Sequence, residues 1–439
     1  MSRKFFIITM GCQMNEYDSD HMAQSLAHLD FLPVNDPNDA DLILINTCTV
    51  RAKAEQKAMS HLGRMSNIKS RKSEVILGVV GCMAQQQGTE LIKRFPQIDL
   101  VMGPREIGRI QDFLKTIISD RQRVVSTDLS ADPPSYSPFR GYFEGRVTGF
   151  ISIMQGCNNF CTYCIVPYVR GKEISRSPED IIFEARNMIK EGVKEITLLG
   201  QNVNSYRSEG PKRRNFAFLL REISKLDGLL RLRFTTSHPK DLSDELIQCF
   251  AHLDNLCPHL HLPFQAGSNS VLKRMKRGYT RDHYIDLIAK LRSVNSEIAI
   301  TSDVMVGFPG ETESEFMQTL DLIEEVRFDS IFSFKYSDRK GTFAYKMGEK
   351  VDEAEKASRL GVLQSLQRQI TLEKNRALEG KQLEVLVEGQ SKKGGLLMGR
   401  TGTNKIVNFD CNYSYIGTLV KLTIKHGFQN SLQGEMTPV

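Results

Sequence analysis

Three cysteines, Cys157, Cys161 and Cys164, stand at a C-x3-C-x2-C spacing within one short stretch. Only nine cysteines occur in 439 residues. Composition alone gives about 0.004 such triplets per chain, so the spacing asks for a chemical explanation. Three thiolates on one tight loop can bind a metal centre. A structural zinc site takes four protein ligands, and no fourth Cys or His lies nearby in sequence. A 4Fe-4S cluster held by three cysteines keeps one iron open, where a substrate or cofactor can bind. On the residues alone, a zinc knuckle completed by a distant His and a set of reduced buried cysteines stay as alternatives.

A second set is spread along the first ~118 residues. Cys12 follows the apolar run 5–10 after Gly11; Cys48 follows the run 42–46 after Thr47; Cys82 follows the run 75–80 after Gly81. Helical periodicity at 17–29, a helix from about Arg51 and another near 89–95 separate these runs, and 99–102 adds a short strand. The alternation predicts an open parallel sheet with helices on both faces, a Rossmann- or flavodoxin-like α/β domain. In such a sheet the carboxyl ends of the strands share one edge, where ligands bind. Three cysteines at equivalent strand ends therefore converge on one point and predict a second metal site, against the plainer reading of cysteines packed in a core.

Composition bounds the rest. The length suits two to four domains. No stretch approaches the ~18 apolar residues of a membrane span, and Met1-Ser2-Arg3-Lys4 leads into strand-like sequence and not a signal peptide. An odd number of cysteines, gathered in motifs, points to a reducing cytoplasm and metal chemistry instead of disulfides. The net charge of +6 permits a polyanionic partner without demanding one.

The segment 121–145, with Asp132, Pro133, Pro134, Ser135, Ser137 and Pro138, reads as a boundary. Beyond it, candidate strands at 147–154, 195–199, 230–235, 260–262, 298–304 and 330–334 alternate with helices at 178–190, 216–226, 243–251, 282–294 and 313–325. Six βα units predict a partial (β/α)6 barrel, with the cysteine loop after the first strand, at the carboxyl face. Polar groups follow the other strands: Gln201, Asn202 and Asn204; Thr236, Ser237 and His238; Gln265, Gly267 and Ser268; Ser302 and Asp303, then Gly307-Phe308-Pro309-Gly310-Glu311. Their shared location suits hydrogen bonds to a ribose, an amino group or an adenine. The Gly-x-Pro-Gly segment also reads as a plain turn, and His238 and His261 read equally as packed histidines.

From 376 onward the pattern changes to short strands, at 382–388, 396–401, 405–409, 416–425 and 431–435, which predict a small closed or nearly closed β-barrel. The segment 375–439 has eight Lys/Arg against five Asp/Glu, half of the chain's net charge. Small basic barrels bind single-stranded nucleic acid; an ordinary capping module is the other reading. The basic stretches Lys212-Arg213-Arg214 and 273–277 read as plain surface.

Over residues ~3–437 the sequence resembles the methylthiotransferases of the radical-SAM class. The resemblance is carried by Gly11-Cys12, Asn46-Thr47-Cys48, Gly81-Cys82-Met83-Ala84, the run 156–170, Thr235-Thr236-Ser237-His238-Pro239 and 307–311. It implies a methylthiotransferase N-terminal domain at 3–119, a linker at 120–142, a radical-SAM core at 143–373 and a TRAM domain at 376–438. Gly399-Arg400-Thr401 with Asn404, Val407, Asn408 and Phe409 is similar to the subgroup acting on isopentenylated adenosine 37 in the anticodon loop of tRNA. A relative substrate, threonylcarbamoyl-adenosine, stays as the alternative, with a structural-metal RNA-binding protein behind it. Phe264, Ala266, Lys340 and Phe343 depart from the family pattern.

What the resemblance implies is specific. Cys157, Cys161 and Cys164 would hold a 4Fe-4S cluster whose open iron chelates S-adenosylmethionine (SAM), with Tyr163 against the adenine and Gln201, Asn202, Ser237, Ser302 and Asp303 as further SAM contacts. Cys12, Cys48 and Cys82 would hold an auxiliary 4Fe-4S cluster carrying the sulfur. One SAM methylates that sulfur and a second supplies the radical that opens adenine C2–H, which no ordinary side-chain base can do. A low-potential electron donor such as flavodoxin or ferredoxin, a cytoplasmic monomer and no membrane partner are expected.

Overall fold

The computed structural model describes residues 2–49, 52–130, 138–209, 213–391 and 394–437. Lys212 and the Pro- and Ser-rich part of the expected linker, 131–137, lie outside these residues.

The apolar runs of the N-terminal region become strands because alternate residues are buried on opposite faces. β1 (Lys4–Met10), β2 (Leu32–Pro33), β3 (Leu42–Thr47), β4 (Ile76–Gly81), β5 (Leu100–Met102) and β6 (Val124–Ser126) form one parallel sheet in the order 2-1-3-4-5-6. β3 is buried at every position. Its Leu42 and Leu44 face a core with Met22, Leu26 and Leu114, while Ile43 and Ile45 face another with Ala58, Leu62 and Leu91. Helices thus cover both faces: α1 (Gln13–Ala27) and α5 (Ile110–Asp120) on one, α2 (Ala52–Arg71), α3 (Cys82–Gln87) and α4 (Thr89–Arg94) on the other. The order reverses between β1 and β3, where doubly wound sheets bind their ligands. β6 falls within the expected linker; its isolated Val-Val-Ser is too short to show a period.

The central region holds two three-stranded parallel sheets. The first is β7 (Thr148–Ser152), β10 (Glu195–Leu199) and β11 (Arg231–Phe234); the second is β12 (His259–His261), β13 (Ala299–Val306) and β14 (Ser330–Lys335). A small hairpin pairs β8 (Met154–Gln155) with β9 (Ile174–Ser175). Among the described residues a single bridge, Leu232 to Leu256, joins the halves, and the expected six-unit partial barrel results. Even-numbered residues of β13, Ile300, Val304 and Val306, pack with Leu260, Leu287 and Phe316 under the outer helices. The odd-numbered Thr301, Asp303 and Met305 are only half-buried and line the inside.

Helices α6 (Val166–Arg170), α7 (Pro178–Lys190), α8 (Phe216–Ser224), α9 (Asp244–His252), α10 (Asn269–Met275), α11 (Arg281–Val294) and α12 (Glu313–Val326) follow the expected alternation, with α6 and α10 added. The long α13 (Glu353–Arg376) has no counterpart in the sequence reading. Its buried stripe, Lys356, Arg359, Leu363, Gln367 and Ile370, is mostly polar, so hydrophobic periodicity does not reveal it.

Five strands close the C-terminal barrel in the order 15-16-17-19-18: β15 (Gln382–Gln390), β16 (Leu397–Thr401), β17 (Ile406–Phe409), β18 (Leu419–Gly427) and β19 (Leu432–Met436). This barrel seals the floor of the central one. Arg233 donates to the carbonyls of Thr401 and Gly402, each at 2.7 Å, and to Glu195 at 2.8 Å; Arg231 donates to Glu384 O at 3.1 Å and to Arg400 O.

Candidate metal centres and the interface between them

The strand-end cysteines meet at the reversal point. Gly11 has φ +146°, and a Cβ there would come within 2.5 Å of Cys48 Cβ, so only glycine lets the end of β1 approach the end of β3. Cys48 N continues the ladder to Met10 O at 3.1 Å. Asn46 ties the start of α1 to β3: Asn15 donates to its side-chain oxygen at 2.9 Å, and Asn46 donates to Asn15 O at 2.8 Å. Asn15 Oδ1 in turn accepts from the Cys12 amide at 3.3 Å and thiol at 3.4 Å. The Cys12 thiol is lowered to about 6, first by its hydrogen bond with Cys48 and then by the Arg170 charge, against desolvation. Burial pushes the Cys82 thiol up, with Arg170 opposing.

The second triad is made locally. Gly156 has φ +81°, and a Cβ there would meet Lys172 O at 2.1 Å. Its amide donates to Gln201 Oε1 at 2.6 Å, and Cys164 N closes a turn on Cys161 O at 2.9 Å. Thr162 pins the loop to the barrel rim: its amide donates to Met275 O, and its carbonyl accepts from Ala344 N. Burial raises the Cys157 thiol and drives Cys164 up to about 12, with the neighbouring Cys161 adding to both. The buried Arg277 reaches Cys161 Sγ and Tyr163 Oη, each at 3.4 Å, and Pro263 O at 2.9 Å. Among the described residues no group of three or more His, Cys, Asp or Glu is spaced to hold a single metal ion. A polynuclear cluster spreads its thiolates over several irons.

The helix that leaves the loop triad meets the strand-end triad at Cys82. α6 leaves the cysteine loop and packs on α3, with Ile165 and Val169 against Cys82. Its last residue, Arg170, donates to Cys82 Sγ at 3.4 Å and to Asp18 at 2.7 Å. Both members of that ion pair are nearly inaccessible, and Arg170 Nη1 is buried with no partner. Arg105 holds the Arg170 carbonyl at 2.9 Å and reaches Lys172 O. Arg176 makes a similar tie, to Glu184 at 2.6 Å and Tyr17 Oη at 3.3 Å. Met14 and Tyr17 pack with Phe150 and Leu199 over one half of the barrel mouth, and Thr235 donates to Gln13 at 3.2 Å.

The polar residues singled out from sequence gather around this mouth with unequal freedom. Gln201 is engaged by Gly156. Asn202 donates to Asp241 at 2.7 Å, leaving its oxygen buried and unpartnered, and the buried Ser237 hydroxyl also has no partner. Ser302 donates to Leu262 O and accepts from Phe264 N, both at 3.0 Å, so most of its capacity is used inside the protein. Asn204 brackets His238 through both its backbone groups. Burial, Arg277 and Lys240 lower His238 to about 2, which keeps it neutral, a packed histidine. Glu311 closes the Gly307–Glu311 segment as a turn, accepting from Gly307 N at 2.5 Å while paired with Arg359 of α13 at 3.0 Å. Phe264 stacks on Phe328 at 5.1 Å in the core.

Sequence reasoning missed Arg105, Arg170 and Arg176, and it read Arg277, within the basic stretch 273–277, as plain surface, whereas Arg277 and Met275 are buried. A lone arginine carries no period or spacing; only its burial beside a thiol or carboxylate marks it.

Matches to known proteins agree with this layout. Family models match residues 4–103 (Uncharacterized protein family UPF0004), 151–323 (Radical SAM superfamily) and 376–437 (TRAM domain). A protein of Syntrophus aciditrophicus named tRNA-2-methylthio-N(6)-dimethylallyladenosine synthase is 52% identical over 435 residues, 99% of this chain and 94% of the relative. A protein of the same name from Geobacter metallireducens is 50% identical over 432 residues, 98% of each. Among solved structures, the radical S-adenosylmethionine methyltransferase TsrM from Kitasatospora setae, with cobalamin and a [4Fe-4S] cluster bound, superposes with a TM-score of 0.57 at 17% identity over 76% of this chain and 75% of that one. The cobalamin-dependent radical enzyme OxsB gives 0.52 at 12% identity over 84% and 56%. These two likenesses speak to the fold.

Proposed function

The chain belongs to the family of tRNA-2-methylthio-N(6)-dimethylallyladenosine synthases, and from that premise we infer that it places a methylthio group on C2 of N(6)-dimethylallyladenosine at position 37 of tRNA. It is a radical-SAM enzyme working with S-adenosylmethionine and 4Fe-4S clusters. The names of its relatives do not favour the threonylcarbamoyl-adenosine alternative.

Cys157, Cys161 and Cys164 are the ligands of the SAM-binding cluster, and Cys12, Cys48 and Cys82 those of the auxiliary cluster. Each set offers three thiols beside a buried guanidinium, Arg277 for the first and Arg170 for the second. Buried cations of this kind suit an anionic thiolate-bound cluster, and the unpartnered Arg170 Nη1 has a donor to spare for it. Once bound, these groups supply the radical and the sulfur that an unactivated C2–H requires.

The chain's own residues position and enclose. Gly156 and Gln201 shape the loop; Arg277 fixes Tyr163, which lies against the cofactor; Asn202, Ser237 and Asp303 offer polar contacts to it, whereas Ser302, on the outer face of β13 and engaged by Leu262 and Phe264, is structural. Arg170, Arg105 and Arg176 hold the two halves together and keep water from the space between them. The domains run 3–119, 143–373 and 376–438, with the first domain's sheet extending through β6 into the linker 120–142, and the TRAM barrel grips the anticodon arm. The enzyme works as a cytoplasmic monomer fed by flavodoxin or ferredoxin; no helix of the described residues is long and apolar enough to cross a membrane.

The observation that carries this reading is the juxtaposition of the two triads through Arg170. The test is anaerobic incubation with SAM, reductant and isopentenylated tRNA, followed by mass spectrometry of the nucleosides. A 2-methylthio product is expected; its absence from fully iron-loaded protein would sink the assignment.

A further inference from the structure

Both triads receive a guanidinium from the end of a short helix. α10 stops at Lys276, whose left-handed backbone (φ +60°) turns the chain inward, and the Arg277 amide closes on Leu272 O at 3.0 Å. The same helix end supplies the Arg274 and Met275 carbonyls that Thr162 bonds from the cysteine loop, each at 3.0 Å. Helix end and loop are thus fastened together, with Arg277 beside Cys161. α6 stops likewise at Gly171 (φ +75°), and its last residue, Arg170, reaches Cys82. Each cation donates to its thiol at 3.4 Å.

The two cations differ in what balances them. Arg170 has Asp18 at 2.7 Å, and both side chains are buried, so this pair carries no net charge. Arg277 is only 5% exposed, yet its partners are the Tyr163 and Tyr279 hydroxyls, the Pro263 carbonyl and the Cys161 thiol. Among the described residues no carboxylate pairs with it. An arginine is almost never buried without a counter-charge, because a charge taken out of water and left unpaired is strongly unfavourable. Thiolates of an anionic cluster on Cys157, Cys161 and Cys164 would be that counter-charge. Each site offers three cysteines, so beside its ligands the loop site holds one more positive charge than the strand-end site.

We propose that Arg277 raises the reduction potential of the loop cluster, whereas Arg170, cancelled by Asp18, leaves that of the strand-end cluster little changed. Iron–sulfur potentials follow net charge and hydrogen bonds to the sulfurs. A unit charge beside Cys161 acts through a buried interior that screens it weakly, and it favours the state with the extra electron. The step is the passage of one electron from an external low-potential donor to the loop site; no proton moves and no bond breaks. Arg277 thereby steers electrons to the triad that uses them. The inference rests on the ligand assignment proposed above.

The test is an anaerobic redox titration read by electron paramagnetic resonance, with titanium(III) citrate as reductant and neither SAM nor RNA present. Replacing Cys12, Cys48 and Cys82 by Ala isolates the loop cluster; replacing Cys157, Cys161 and Cys164 by Ala isolates the strand-end cluster. In loop-only protein, Arg277→Gln lowers the midpoint by the equivalent of at least a tenfold change in the reduced-to-oxidised ratio, about 59 mV for one electron. Arg277→Lys keeps the charge and restores most of it. In strand-end-only protein, Asp18→Asn raises the midpoint, because the Arg170 charge is no longer cancelled. If Arg277→Gln is misfolded by circular dichroism, Asp18→Asn carries the test. An unchanged midpoint in Arg277→Gln or in Asp18→Asn, or equal falls in Arg277→Gln and Arg277→Lys, overturns the inference. Loop-only protein that gives no four-iron signal would overturn the ligand assignment and the inference with it. Wild type that titrates as described but forms no methylthio product would overturn the proposed function alone.

Discussion

The two cysteine triads reach similar compositions by opposite routes. Cys157, Cys161 and Cys164 sit on one loop whose shape is set locally, by the positive φ of Gly156 and the turn from Cys161 to Cys164. Cys12, Cys48 and Cys82 come from three strand ends and meet only because a parallel sheet aligns its carboxyl edges. Their electrostatics differ as well. In the loop triad Cys157 and Cys161 are buried and Cys164 is half-buried, and the Cys164 thiol is driven up to about 12. The strand-end triad keeps Cys12 exposed and lowered to about 6. A locally made site can be sealed in the barrel rim, whereas one assembled on a sheet edge stays open toward whatever docks on that edge.

Removing each triad in turn breaks the comparison most completely. Replacing Cys157, Cys161 and Cys164 by Ala should abolish both 5′-deoxyadenosine and methylthio product, because alanine cannot ligate iron. The Cys12, Cys48, Cys82 triple variant should abolish product but still release 5′-deoxyadenosine. The two compounds are quantified together after circular dichroism has shown folded protein. Methylthiolation by the second variant would make the division of labour wrong.

Thiol reactivity sharpens the contrast in metal-free protein. At pH 7 Cys12 is largely thiolate, while Cys164 is almost wholly protonated, so iodoacetamide should label Cys12 orders of magnitude faster. Peptide mapping reads the order; labelling of Cys164 first would contradict the electrostatics described here.

Arg170, at the end of the helix that leaves the loop triad, reaches the strand-end triad at Cys82. Arg170→Met leaves Asp18 buried without its partner, and removing one member of such a pair costs about 3 kcal/mol. Chemical denaturation should show that loss, and product per 5′-deoxyadenosine should fall because the interface loosens. An unchanged ratio would mean that the contact only stabilises the fold.

The smallest effect belongs to the tail. α13 runs to Arg376 and buries Asn375, so cutting the chain near Glu373 would disrupt packing as well as RNA contacts. Exposed lysines of the barrel are better probes. Lys381→Ala with Lys421→Ala should weaken tRNA binding several-fold and lower the log–log salt slope by roughly one unit per phosphate contact removed. Filter binding across salt concentrations measures both, and an unaltered slope would remove these lysines from the interface.

Much of this was written in local sequence. The C-x3-C-x2-C spacing, the strand–cysteine register of the first three runs and the alternation of strands and helices need only neighbouring residues, and each survives into the fold because parallel strands are apolar throughout and turns are marked by glycine. The even spread of Cys12, Cys48 and Cys82 also pointed to one edge, since the sheet's topology follows from its βα repeats.

Tertiary structure alone decided the rest. α13 stayed hidden because its buried stripe is polar, held by pairs such as Arg359 with Glu311 that lie far apart in sequence. Arg170 and Arg277 have no signature of their own: their meaning comes from a thiol or a hydroxyl brought beside them by folding. Hydrophobic period and metal-ligand spacing are properties of the chain, and the partner of a buried charge is a property of what surrounds it.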